Sequence, residues 1–264
     1  MTCLVDLLHP EVGLATVALL ERHGVTVDFP KRQTCCGQPA FNSGFETEAR
    51  TVGRGLLDAF DGADPVVSPS GSCTAMVRTY FPRLFRGTPD EERATDLASR
   101  TFELSEFLVD VLAVEGADGR WAGRVTFHDS CHGLRELGLS GQGRRLLSGV
   151  EGLELVEMDR PEVCCGFGGT FSLRLPDLST AMADDKVAQA EATDADALVA
   201  GDTGCLMHLA GRLSRRGSPV RAMHLATLLA EAQGLMRGVR GGSSPGAGGQ
   251  RDEGASEPPI TGRP

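Results

Sequence analysis

Apolar positions along the chain switch between two periods. Residues 2–7 are a short apolar run, and residues 10–23 carry Val12, Leu14, Ala15, Val17, Ala18, Leu19 and Leu20 at the spacing that turns one helix face toward a core, stopping at Gly24. This predicts a strand and then a helix. VTVDF at 25–29 alternates with period two, residues 46–60 return to helical spacing, and DPVVSPS at 64–70 predicts a third strand. The order recurs further on: RVTFHD, LELVEM and DALVAGD predict three strands, with helices over 143–148, 179–193 and 206–214. Residues 103–114 predict a helix, and ADGRWAG a turn joining the halves near residue 120. Strands separated by helices imply parallel pairing, with ligands held at the C-terminal edge of the sheet.

The cysteines repeat more exactly than the apolar pattern. They run Cys3, Cys35, Cys36, Cys73 and then Cys131, Cys164, Cys165, Cys205, with corresponding members offset by 128, 129, 129 and 132 positions. A near-constant offset is the mark of an internal duplication with small loop insertions. Neighbouring residues repeat too: Cys35-Cys36-Gly37 matches Cys164-Cys165-Gly166, Ser70-Gly71-Ser72-Cys73 matches Asp202-Thr203-Gly204-Cys205, and TCLVDLLHPEVGL loosely matches DSCHGLRELGL. The expected fold is α/β: two tandem Rossmann-like cysteine-rich repeats with mainly parallel sheets, related by a pseudo-twofold. The expected domains are residues 1–120, residues 121–236, and a Gly- and Pro-rich tail over 237–264 too polar to offset its ordering entropy.

Composition narrows the partners. A length of 264 residues suits two units, and 41% apolar with 23% charged residues is ordinary for a globular chain. A net charge of −10 offers no basic footprint for phosphate backbones or anionic lipid, so nucleic acid is not expected as a partner. The single Trp and single Tyr leave few aromatic platforms for stacking bases. The N-terminus lacks the features of a signal peptide and no apolar stretch is long enough for a membrane span, so the expected location is cytoplasmic, where thiols stay reduced.

Eight cysteines in a reducing compartment point to metal binding rather than disulfides. Four thiols per half suit an iron–sulfur cluster, and the glycine after each vicinal pair permits the bend that turns both sulfurs to one point. Two rivals stay open. Structural zinc takes four thiolates but usually from C-x2-C pairs, and a dithiol redox site usually needs C-x-x-C. His128 and His132 flank Cys131, and His208 follows Cys205, so each is a candidate nitrogen ligand or proton donor; hydrogen bonding to loop carbonyls is the bland alternative. His224 reads as a cap or core residue, and His9 and His23 as helix ends. GFGGT at 166–170 lacks the spacing of a phosphate loop.

These motifs, together with PSGSC, FHDSCHGLRELG, CCGFGGTFS and GDTGCLMH, resemble the CCG cysteine-rich family and most closely its two-repeat, lactate-utilisation members. The family also holds the heterodisulfide reductase catalytic subunit and the iron–sulfur subunits of glycolate oxidase and anaerobic glycerol-3-phosphate dehydrogenase. The resemblance implies one or two [4Fe–4S] clusters on Cys3, Cys35, Cys36, Cys73, Cys131, Cys164, Cys165 and Cys205. It further implies an electron-transfer subunit, and the absence of a flavin or nicotinamide motif argues that the chain relays electrons rather than taking hydride itself. That subunit would serve a system oxidising L-lactate to pyruvate, with a ferredoxin-like iron–sulfur protein and a third lactate-utilisation subunit as partners. One departure from the family pattern matters. Ser70 and Asp202 stand where the first cysteine of C-x-x-C is expected, which speaks for conventional four-ligand clusters and against heterodisulfide chemistry, with Asp202 an oxygen ligand or a partner behind the ligands. Lys31, Arg135 and Arg174 are candidates to hold a carboxylate substrate, and more ordinarily surface charges.

Overall fold

A computed structural model of the chain describes residues 3–236, and the expected tail over 237–264 lies outside the described residues. The first half runs α1 (Leu4–Leu8), α2 (Pro10–Arg22), α3 (Gln38–Asn42), α4 (Glu46–Ala59), β1 (Val66–Ser68), α5 (Gly71–Ala75), α6 (Phe81–Leu84), α7 (Glu91–Ser99), β2 (Thr101–Glu103) and α8 (Leu104–Glu106). Two π-helical turns, Met76–Tyr80 and Phe107–Val111, extend α5 and α8. The second half runs β3 (Arg120–Phe127), α9 (Cys131–Leu137), α10 (Gln142–Ser148), β4 (Glu151–Leu155), α11 (Thr170–Arg174), α12 (Pro176–Glu191), β5 (Ala197–Ala200), α13 (Thr203–Arg216), β6 (Arg221–His224) and α14 (Leu225–Ala232). Each half has one parallel sheet: β1-β2 in the first, and β4-β3-β5-β6 in the second.

The first half departs from expectation in its strands. Residues 4–8 are helical rather than extended, as their counterpart α9 is helical after Cys131. VTVDF at 25–29 keeps its alternation, with Val25 and Val27 half-buried and Thr26 and Asp28 exposed, yet forms no strand. Its counterpart β4 pairs only with β3, and the first half has no counterpart of β3 among the described residues, so 25–29 runs without a ladder. Residues 101–103 are a strand absent from the expectation, leading into the helix expected over 103–114. The ADGRWAG turn is overridden because Arg120 already pairs with Glu151.

One core joins the halves. Val12, Ala15 and Leu19 from α2 pack in the same cluster as Leu228 and Leu229 from α14, while Leu104 and Leu108 share it with Leu146 and Leu147 from α10. Each half therefore sends its last helix onto the other, and burying these Leu and Val side chains contributes about 1.5–3 kcal/mol apiece. Separate clusters under α4 to α7 and under α12 and α13 complete the two outer layers.

The ends of β2 and β6 mirror each other across this junction. Glu103 pairs with Ser68 in the first sheet and His224 with Ala200 in the second, and each caps the helix that follows. His224 accepts from Ala226 N through Nδ1 at 3.1 Å, so Nε2 carries the proton and donates to the Pro69 carbonyl of the first half at 3.0 Å. Glu103 accepts from Ser105 N at 2.7 Å and lies against Gly201 of the second half. Burial pushes its carboxyl from 4.5 up to about 7, against the lowering effect of the Ser105 and Glu106 hydrogen bonds.

Folding thus favours the protonated Glu103, whose contribution is whole below its unfolded value of 4.5 and is lost as pH rises through about 7. Its size is roughly 3 kcal/mol. Glu103→Gln should remove that part of the pH dependence. Urea denaturation at pH 5 and pH 8 should show a smaller difference in the variant than in the parent, and equal differences would refute the assignment.

Candidate metal centres

Each half gathers its four sulfurs from three segments at the C-terminal edge of the sheet. In the first, Cys3 precedes α1, Cys35 and Cys36 lie on the loop before α3, and Cys73 sits in α5. Hydrogen-bonding contact runs from Cys3 to Cys35, Cys35 to Cys36, and Cys36 to Cys73. The second half repeats the chain, with Cys131 and Cys164 sulfurs 4.0 Å apart and Cys165 between Cys164 and Cys205. All eight cysteines are free thiols.

Both vicinal pairs need the glycine that follows. Gly37 has φ 81° and Gly166 φ 86°, in the left-handed region. A Cβ on Gly37 would meet the Ala49 carbonyl oxygen at 2.8 Å, and one on Gly166 the Ser179 carbonyl oxygen at 2.7 Å. The bent loop can therefore lie on α4 and α12 only without a side chain there.

The sulfurs share protons in an alternating pattern. Cys35 and Cys164 are each pushed down to about 2, first by a hydrogen bond from Cys3 or Cys131 and next by one from Cys36 or Cys165. The donors Cys3, Cys131, Cys36 and Cys165 are pushed up in consequence, helped by burial. At the last cysteine the halves diverge. Cys73 is lowered by Cys36 and, against burial, by Ser70; at Cys205 the hydrogen bond from Cys165 is outweighed by burial and the Asp202 charge, so its thiol is raised. A metal centre would take all four as thiolates, displacing these protons.

Ser70 and Asp202 do not face open ligand positions. Ser70 caps α5, accepting from Cys73 N at 3.4 Å, and Asp202 caps α13, accepting from Cys205 N at 3.3 Å. They also meet across the halves: Ser70 Oγ donates to Asp202 Oδ2 at 3.1 Å, and Ser72 N donates to the same oxygen at 2.8 Å. Asp202 thus acts behind Cys73 and Cys205, through backbone and hydroxyl.

All three candidate histidines lie at the second centre. His132 Nδ1 is 3.7 Å from Cys131 Sγ, and its Nε2 lies 3.4 Å from the Gln38 amide nitrogen of the first half. With that amide as donor, Nδ1 carries the proton and faces the sulfur. His208 Nε2 donates to Ser179 Oγ at 3.1 Å, and that hydroxyl donates to the Gly166 carbonyl at 2.8 Å, bracing the vicinal loop. His128, wholly buried, has a ring nitrogen grouped with the Cys165 and Cys205 sulfurs, all three atoms lying within 4.8 Å of one another.

Several supporting residues escaped sequence reasoning. Lys186, 0% exposed, donates to the Pro161 carbonyl at 3.3 Å and contacts the Arg160 carbonyl at 2.5 Å, holding the segment that leads into Cys164. Its signal was a lone cation on the inward face of α12, between Ala183 and Ala190. Arg144 grips Asp129 at 2.8 and 3.0 Å and fixes the turn between β3 and Cys131. Lys31 and Arg174 are exposed, and Arg135 reaches the Glu162 carbonyl at 3.5 Å.

The donor set fits a metal or iron–sulfur group: four convergent sulfurs per half, and at the second centre an added buried nitrogen. The cysteine-rich CCG domain family matches residues 1–78 and 125–210, one segment on each centre. The chain belongs to this family of duplicated cysteine-rich domains. Curated relatives include the lactate utilization protein A of Geobacillus kaustophilus, strain HTA426, and that of Geobacillus thermodenitrificans, strain NG80-2. Each is 50% identical over 230 residues, covering 87% of this chain and 96% of the relative. The lactate utilization protein A of Halalkalibacterium halodurans is 47% identical, over 87% of this chain and 94% of its own. Among the described residues no helix is long and apolar enough to cross a membrane.

Asp202→Ala would strip three donors of their acceptor at the junction and should cost about 2–3 kcal/mol in equilibrium denaturation. Ser70→Ala, which removes one hydroxyl from the same network, should cost about 1 kcal/mol. The order Asp202 before Ser70 is the point at stake; a reversed order would mean that the carboxylate is not the hub.

Proposed function

We propose that the chain is an iron–sulfur electron-transfer subunit of an L-lactate oxidation system that yields pyruvate, and that it holds one or two [4Fe–4S] clusters. The observation that carries this reading is the pair of equivalent cysteine quartets, each with its sulfurs in contact one after the next. A bound cluster would accept and pass single electrons. The chain's own part is to supply thiolates from bent loops, exclude water behind Cys36, Cys165 and Cys205, and present a surface to partners. The relatives' names supply the substrate, and the resemblance supplies the partners: a ferredoxin-like iron–sulfur protein and a third subunit, working in the cytoplasm where thiols stay reduced.

The edge bearing the vicinal loops supports the partner role. Ser43 of the first loop meets Thr170 of the second at 3.0 Å, and nearby Phe45 and Leu173 are exposed, Leu173 by 81%. Exposed apolar side chains around a centre suit a docking face that brings two clusters close.

Protein purified without oxygen should contain iron and acid-labile sulfide in equal amounts and give an EPR signal on reduction. Cys36→Ser and Cys165→Ser should each lower the iron by about half if both centres are filled. Zinc without sulfide would reject the proposal.

A further inference from the structure

The two centres differ most at His128. It stands at the C-terminal end of β3, three residues before Cys131, and is 0% exposed. Its backbone N–H continues the sheet by donating to the Val199 carbonyl at 2.8 Å, so the ring is aimed from a rigid strand. Neither ring nitrogen has a hydrogen-bond partner of sound geometry among the described residues, only an approach of the Pro161 carbonyl. Buried polar groups are nearly always paired, and leaving one unpaired costs about 1–3 kcal/mol. A ring held there without a partner is either a defect or a donor awaiting something that is not protein.

Its surroundings say which. The imidazole nitrogen and the Cys165 and Cys205 sulfurs all lie within 4.8 Å of one another. Three donor atoms that close can reach one metal centre, and an iron–sulfur cluster takes one protein ligand per iron. Metal-bound histidines direct their other nitrogen to a carbonyl, carboxylate or water. Here the Pro161 carbonyl approaches the ring, and a cavity of about 40 Å³, which His128 lines with Glu103 and Ser130, has room for a water. No histidine joins the first-half sulfurs in such a group among the described residues.

We infer that His128 is a nitrogen ligand to the metal of the second centre, standing in for one of the two cysteines it approaches, Cys165 or Cys205, which makes that centre a mixed cysteine–histidine site beside an all-cysteine first centre. This rests on the reading that the quartets hold metal, and the test separates the two. Metal and sulfide analysis of the anaerobically purified full chain settles the first point. X-ray absorption at the edge of whichever metal is found, with pulsed EPR of the reduced protein, settles the second.

Cys36→Ser simplifies the reading by leaving the second centre as the principal metal site. In it, as in the parent, a nitrogen shell at about 2.0–2.1 Å should accompany sulfur at about 2.3 Å, with directly bound nitrogen coupling in the EPR. His128→Ala should lose that nitrogen signal while keeping the iron of the first centre. Metal bound in Cys36→Ser with sulfur alone around it would overturn the assignment. So would an unchanged nitrogen coupling in His128→Ala. Should His128→Ala fail to fold, the Cys36→Ser spectrum still decides.

Discussion

The Asp202 carboxylate is the point through which the two halves hold each other. One oxygen caps the helix that carries Cys205; the other takes Ser70 Oγ and Ser72 N from the turn that opens the Cys73 helix. Two of the six segments that carry the cysteines are thereby fixed by one buried group. Gly71 N adds a bond to the Gly201 carbonyl at 3.3 Å, and the absence of a side chain at Gly71 lets α5 approach Gly133 of α9. The last helix of the first quartet thus packs on the first helix of the second. A shift at the junction would move Cys73, Cys131 and Cys205 together.

That arrangement explains why duplication yielded a single body rather than two beads. The central core takes side chains from α2 and α14 on one side and from α8 and α10 on the other, so each repeat leaves an apolar face that only its partner covers. A half on its own would expose that face to water, and its sulfurs would lack half of their frame. The vicinal loops lie at the same edge and touch through Ser43 and Thr170. Both vicinal loops, and the centres they serve, are consequently on one side of one body.

Much of this was legible in the sequence because it is written twice. The cysteine offsets gave the duplication, the glycines after the vicinal pairs gave the bend, β1 and β5 fall within apolar runs expected as strands, and β3 and β4 overlap theirs but begin earlier. The failures are equally physical. Alternation at 25–29 reports which side chains face inward, and the structure keeps that; it does not report whether a neighbouring strand supplies hydrogen bonds, and there the strand is missing. Hydrophobicity alone makes residues 2–7 a strand, whereas their alignment with CHGLREL, helical α9, carries the better answer for Leu4–Leu8. Gln38, Ser179 and Lys186 act through neighbours distant in sequence, which no local pattern displays.

Ser70 and Asp202 stand at equivalent positions of the two repeats and break their symmetry, and the geometry shows why they differ. Residues at equivalent positions of a twofold repeat that meet near the axis face their own copies. Two carboxylates there would repel, and two hydroxyls would leave the backbone N–H groups a weaker acceptor. Serine opposite aspartate is complementary: one donates, the other accepts. Beyond the hydrogen bonds from Cys36 and Cys165, the Asp202 charge works against both the Cys73 and Cys205 thiolates, and the Ser70 hydroxyl offsets it only at Cys73. Charges buried at this depth are poorly screened by salt, so the difference persists in the cell. The buried imidazole of His128 stands beside Cys205, and no histidine stands so beside Cys73 among the described residues.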